Sequence, residues 1–328
     1  MSGVLTSKEL IRSIKRRAMI PSDQNTFTDE DFLEMLNEEL QYFGIPHLLR
    51  THEEYLLTFE DIPLDNANGK YPIPYRAVGN KLREASYVTN VSGLTGSAGS
   101  EQVYELARIS VEDLPDYNNY ASSRYAQAFY LENNNLVLLG EMPISDAVLR
   151  MHFYLRPNTL VLDNKAGLIQ SFDAATGTVV LESFPESFAS SPDMDFVQHK
   201  SPNIILGYDK SPISVDSATR TVVFDVDDMP TDLEVGDYLN VAQETIVPQL
   251  PVELHAILAQ RVAVAATEAL GDQEALIAAQ KRLEMMERAS NDIIDNRVEG
   301  APEKITNRHG TLREAVIRRR GYGRRGTS

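Results

Sequence analysis

The chain has 328 residues, 42% apolar and 24% charged, with 31 Lys plus Arg against 48 Asp plus Glu and neither Cys nor Trp. That composition excludes wholesale disorder. The lack of Cys excludes a disulfide framework, a thiolate nucleophile, a zinc knuckle and an iron–sulfur cluster.

Net charge is −17 but unevenly spread. Residues 1–25 carry +3 and residues 298–328 carry +5, which leaves −25 for residues 26–297. Such a body repels nucleic acid, while its ends seek an acidic partner. No run approaches the ~20 apolar residues of a bilayer span. The N-terminus turns basic without an apolar stretch behind the charges, which predicts no secretory signal.

Residues 7–18 predict a basic helix with Leu10, Ile11 and Ile14 as its apolar stripe. Thr28-Asp29-Glu30-Asp31 resembles a capping box, and Phe32, Leu36, Leu40 and Phe43 then follow helical spacing. Gly44 is placed for a left-handed C-cap, and Pro46 for the start of a short helix over 47–54. From Tyr55 the period changes. Residues 55–59 and 71–75 predict two strands joined by a tight turn at Asn68-Gly69, with Pro72 and Pro74 confining the second to a sheet edge. Residues 88–99 predict an exposed loop, and short apolar runs over 126–162, separated by Asn133-Asn134-Asn135 and Arg156-Pro157-Asn158, predict a β-meander.

Ile169–Val180 and Ile213–Val223 share the pattern strand, Asp-x-Ala-Thr turn, strand, at an offset of 43 residues. In each, the Asp side chain can accept backbone N–H groups two residues on. Two hairpins of one sheet system are expected, with two small tandem domains as the alternative. After Pro251 the chain returns to helix, with Leu254, Ile257, Leu258, Val262 and Ala265 as a stripe and Gly271 as its end. Asp272 is placed to cap a second helix running to about residue 297, where Leu276, Ala279, Leu283, Met286 and Ile293 form the packing seam.

The predicted fold is α+β. A discontinuous helical bundle (residues 1–53 and 246–300) holds an inserted antiparallel β domain (54–245), and an extended basic arm (301–328) follows.

Motifs for chemistry are absent. The Gly93–Gly99 stretch lacks the lysine of a phosphate loop and the Rossmann spacing, and no Gly-x-Ser-x-Gly elbow occurs. His47, His52, His152, His199, His255 and His309 lack metal-ligand spacing, and His152 is expected in a core or interface. The acids Asp225, Asp227, Asp228, Asp232 and Asp237 lack the Gly and Glu of a calcium loop. They are expected in solvated loops, as are Asp193 and Asp195. No catalytic, cofactor or metal residues are assigned. In the arm, Arg313, Arg318, Arg319, Arg320, Tyr322, Arg324 and Arg325 suit docking on an acidic protein surface. A solvated tail and contact with single-stranded nucleic acid remain the other uses.

Three segments together resemble bacteriophage head-to-tail adaptor (connector) proteins: Asp29–Leu40 leading to Pro46–Tyr55, Tyr71–Arg83, and the closing helix pair after Leu250-Pro251 with its basic tail. The resemblance implies a structural virion protein, not an enzyme, made in the host cytoplasm and placed at the head–tail interface. It implies a homo-oligomeric ring, commonly of twelve copies, docked on the portal protein through residues 303–328 and meeting a tail or nozzle protein. DNA passes through without specific binding, and no membrane is involved. Leu254, Ile257, Leu258, Leu276, Leu283, Met286 and Ile293 are the candidate oligomer and helix-packing residues. Two rival classes stand beside it: a β-rich carbohydrate-binding or fibre-type virion protein, and a hydrolase with unidentified carboxylates. The absence of Trp weakens the first.

Overall fold

The computed structural model describes residues 4–21, 26–64, 69–89, 101–114, 128–139 and 147–293. The chain opens with helices α1 (Ser7–Arg17) and α2 (Asp29–Glu39), a π-turn over Leu40–Gly44, and α3 (Ile45–Thr51). It closes with α4 (Val252–Leu270) and α5 (Gln273–Ile293). The first strands are β1 (Leu57–Pro63), β2 (Lys70–Pro72), β3 (Ala77–Thr89), β4 (Gln102–Glu105), β5 (Ala107–Arg108), β6 (Ala128–Glu132), β7 (Asn135–Leu139) and β8 (Ala147–Leu155). Then come β9 (Thr159–Leu160), β10 (Gly167–Asp173), β11 (Thr178–Leu181), β12 (Met194–Val197) and β13 (Ile205–Lys210). The last are β14 (Ser214–Asp216), β15 (Thr221–Val223), β16 (Tyr238–Val241) and β17 (Glu244–Thr245). Mixed α+β architecture is observed, as expected.

The helix ends follow their caps. Thr28 Oγ1 accepts from Asp31 N at 3.2 Å and Asp31 Oδ2 accepts from Thr28 N at 2.6 Å, closing the capping box. Asp163, distant in sequence, accepts from Thr6 Oγ1, Ser7 Oγ and Lys8 N at the start of α1, where the helix dipole favours a carboxylate. Gly271 takes φ +74 after α4, and Asp272 Oδ1 accepts from Ala275 N at 3.0 Å to start α5.

Gly44 departs from expectation. It has helical angles (φ −57, ψ −55), so the chain runs on through the π-turn into α3, which ends at Thr51. A Cβ on Gly44 would stand 3.0 Å from Leu40 Cδ1 and 3.3 Å from Leu250 Cδ1, so the glycine serves close approach to the Leu250 segment.

One apolar core joins the two ends of the chain. Leu10, Ile14, Phe32, Leu36 and Leu48 pack with Leu254, Leu258 and Val262, and Leu160 of β9 enters the same cluster. Asn37 of α2 fixes that strand: its Nδ2 donates to Leu160 O and its Oδ1 accepts from Leu160 N, at 3.1 and 2.7 Å.

The β part departs further from expectation. β1 and β2 do not pair across Asn68-Gly69. Instead β1 pairs with β8, in the sheet order β1-β8-β3-β4, and β2 is an edge of a second sheet, β2-β7-β6-β5. The edge position matches the constraint set by its prolines. β6 and β7 form a true hairpin about Asn133 (φ +54), but β8 leaves for the other sheet, so no meander forms. Val88 and Thr89 belong to β3, while residues 90–99 of the expected loop lie outside the described residues. β3 carries no alternating pattern because positive φ at Gly79 and Asn80 shifts its register and Lys81, Arg83 and Glu84 crowd its middle.

The paired hairpins are observed as expected. β10-β11 and β14-β15 lie side by side through β11–β15 pairing in one seven-stranded sheet. Asp173 accepts from Ala175 N and Thr176 Oγ1, and Asp216 accepts from Ala218 N and Thr219 Oγ1. Gly177 and Arg220 occupy the same turn position at φ +65 and +55. Only the first must be glycine, since a Cβ there would meet Phe224 O at 2.1 Å.

Candidate functional site

The candidate surface comprises the helical layer and a polar joint where the sheets return to it. In α4, Leu254, Ile257 and Leu258 are buried in the shared core, so these predicted packing residues serve intrachain contact. Leu276, Leu283 and Met286 of α5 are half-buried, and the latter two pack on that core. The side chain of Ile293 lies outside the described residues, as do all the arm residues (Arg313, Arg318, Arg319, Arg320, Tyr322, Arg324 and Arg325). The outer face of α5 is apolar in part: Ile277 is 66% exposed and Met285 58%. Arg261 stacks 4.3 Å over Phe43 and pairs with Glu39 and Glu287 at 2.6 Å each, binding α2, α4 and α5 together.

The polar joint centres on Asp195, which is fully buried. Its Oδ2 accepts from Arg76 Nη2 at 2.6 Å, Asn158 Nδ2 at 2.7 Å and Gln243 N at 3.0 Å, and its Oδ1 accepts from Asp209 N at 2.9 Å. Asn158 extends the network, accepting from Arg76, donating to Glu244 O, and donating its own N–H to Gln249. The guanidinium of Arg76 lies 5.6 Å from the Tyr208 ring centre, and burial pushes that phenol up to about 12, so it stays protonated. A cavity of about 230 Å³ opens beside the joint, lined by Asn37, Leu40, Ile45, Val78, Arg156 and Asn158 among others.

Asp195 and Asp237 thus overturn the expectation of solvated loops. Asp237 is also fully buried, accepting from His199 N and Glu234 N and bonding His199 Nδ1 at 2.6 Å. Each anion replaces its lost hydration with several donors. Asp193, Asp225, Asp227 and Asp232 are exposed, as expected, and Asp228 is half-buried beside Lys210. His152 is half-buried, its ring 5.7 Å from Phe59 on the outer face of the first sheet.

His255, without metal-ligand spacing in the sequence, ties the segment before α1 to the segment before α4. Its Nδ1 accepts from Leu5 N at 3.2 Å and its other ring nitrogen bonds Leu250 O at 3.1 Å, which selects the neutral tautomer. Burial lowers its pKa to about 4. Among the described residues no group of His, Asp and Glu could hold a metal ion, and no helix is long and apolar enough to cross a membrane.

A family model described as SU10 adaptor protein matches residues 5–190, more than half of the chain. The chain belongs to the SU10 adaptor protein family, a family of phage adaptors. It is therefore a structural adaptor of the virion, associated with other virion components. No curated protein matches it. The matched span covers α1–α3, the first two sheets and the first of the paired hairpins. Asp29–Tyr55 and Tyr71–Arg83 of the resemblance fall inside that span, whereas the second hairpin, α4, α5 and the basic tail fall outside it.

Proposed function

We propose that this adaptor forms a homo-oligomeric ring of about twelve copies between portal and tail, lines the DNA channel, and has no catalytic role. It is made in the host cytoplasm. The observation that carries the reading is the segregation of charge, −25 over residues 26–297 against +3 and +5 at the ends. An acidic wall repels phosphates and lets duplex slide past without sticking. A basic extension pairs its guanidinium forks with carboxylates of a second protein. The exposed Ile277 and Met285 add support, since a ring neighbour would cover them.

In this reading residues 1–53 and 246–300 form one discontinuous helical domain, 54–245 are inserted into it, and 301–328 are the arm. Arg313, Arg318, Arg319, Arg320, Tyr322, Arg324 and Arg325 dock on the portal, and a tail or nozzle protein takes the other side. The test is deletion of residues 303–328. The truncated protein should keep its far-UV circular dichroism and lose co-sedimentation with a portal ring. Undiminished co-sedimentation contradicts the role of the arm.

A further inference from the structure

The two helices that open the chain divide their charges into used and unused sets. In α1, Lys15 pairs with Asp29 at 2.7 Å, and Arg17 donates to Ser13 Oγ and Gln260 Oε1. In α2, Asp29 takes Lys15, Asp31 closes the cap and Glu39 holds Arg261. What remains is Lys8, Arg12 and Arg16 on α1 and Glu30, Glu34 and Glu38 on α2, all exposed. Among the described residues none of these six side chains makes an ion pair or hydrogen bond.

Both sets step by four residues, so each forms one row along a helix face with neighbours ~6 Å apart and a length of ~12 Å. The rows also end alike. Met19 follows Arg16 at 85% exposure and Tyr42 follows Glu38 at 82%. Two rows of opposite sign, equal pitch and equal length, unused among the described residues, are complementary to each other. A basic row on an otherwise strongly acidic body is drawn to the acidic face of another copy.

We propose that the Lys8–Arg12–Arg16 face of α1 in one copy docks on the Glu30–Glu34–Glu38 face of α2 in the next, a contact that rests on the ring reading and supplies its subunit seam. Different patches meet, so the contact is head-to-tail and propagates from copy to copy until rotation closes it. Arg12 meets Glu34 at the central rung whichever way the helices run. A parallel arrangement also seats the Met19 thioether on the Tyr42 ring. Exposed pairs of this kind set register and partner choice more than raw affinity, and the apolar cover of α5 supplies the rest.

The native chain lacks cysteine, so Arg12→Cys and Glu34→Cys give a clean readout. The full-length chain carrying both, treated with a short bis-maleimide, should give a ladder of covalent multimers on a denaturing gel. A product confined to the single-chain mass, or one that stops at the dimer, overturns the head-to-tail seam. Charge reversal separates this seam from the ring itself. R12E or E34R alone should weaken self-association ~10-fold or more by native mass measurement, and an equimolar mixture should restore it, since each reversed position meets the other. If the wild type assembles and both reversals assemble equally well, the seam is wrong and the ring stands. If the wild type stays monomeric even when mixed with its portal ring, and no ladder forms there, both are wrong.

Discussion

The chain closes on itself twice, once with apolar side chains and once with charges. The helical seam brings Leu10, Phe32 and Leu36 against Leu254, Leu258 and Val262 in a mainly apolar cluster. The joint at Asp195 brings together Arg76, Asn158, Asp209, Gln243 and Gln249 with hydrogen bonds of 2.6–3.0 Å around one buried anion. The first seam tolerates small losses, because apolar attraction is summed over many contacts. The second does not, because removing one partner strands the others away from water.

Substitutions ranked by size test this contrast. Asp195→Ala leaves the buried Arg76 guanidinium with only the longer ion-pair contact to Asp209, at 3.7 Å, and should cost about 3–5 kcal/mol in urea denaturation. Replacing Arg76 and Asp195 together by apolar residues should recover only part of that, because the Asp209 and Gln243 N–H groups still lose their acceptor. Leu258→Ala opens a cavity in the apolar seam and should cost about 3–4 kcal/mol, without the disproportionate loss expected at the joint.

His255 is a buried titratable member of the apolar seam, and it brings a pH dependence. Its folded pKa of about 4 lies below the ordinary 6.5, so the unfolded chain binds the proton more tightly. Its contribution is therefore complete above pH 6.5 and is lost as pH falls toward 4, at most about 3 kcal/mol. Denaturation midpoints measured over that window should fall more steeply for the wild type than for His255→Gln. An equal slope in the two proteins removes His255 from the account. The smallest effect is at the surface. Thr28→Ala removes the cap of α2 and should cost about 1 kcal/mol, read as a small drop in thermal midpoint.

How far each region could be read from sequence follows from the same contrast. α1, α2, α4 and α5 show in the 3.6-residue spacing, and their ends in Thr28, Gly271 and Asp272, because these are local signals. The twin turns at Asp173 and Asp216 are local too. Strand partners are not local: nothing in Leu57–Pro63 announces that it will lie beside Ala147–Leu155 rather than across the nearer Asn-Gly turn. Gly44 misled because a glycine after a helix suits either a left-handed cap or a close approach, and only Leu250 decides between them. Asp195 looked like any other acid because the cation that makes its burial tolerable stands 119 residues away. Arg76 lies within one of the segments carrying the family resemblance, but its spacing gave no sign that its side chain turns inward.

The central claim is assembly around a passage, and the direct measurement is native mass of the full-length chain mixed with its portal ring. One dominant species is expected, carrying a fixed number of adaptor copies per ring and no added duplex DNA. A single copy bound per ring, or a chain that prefers duplex DNA to the portal, contradicts it.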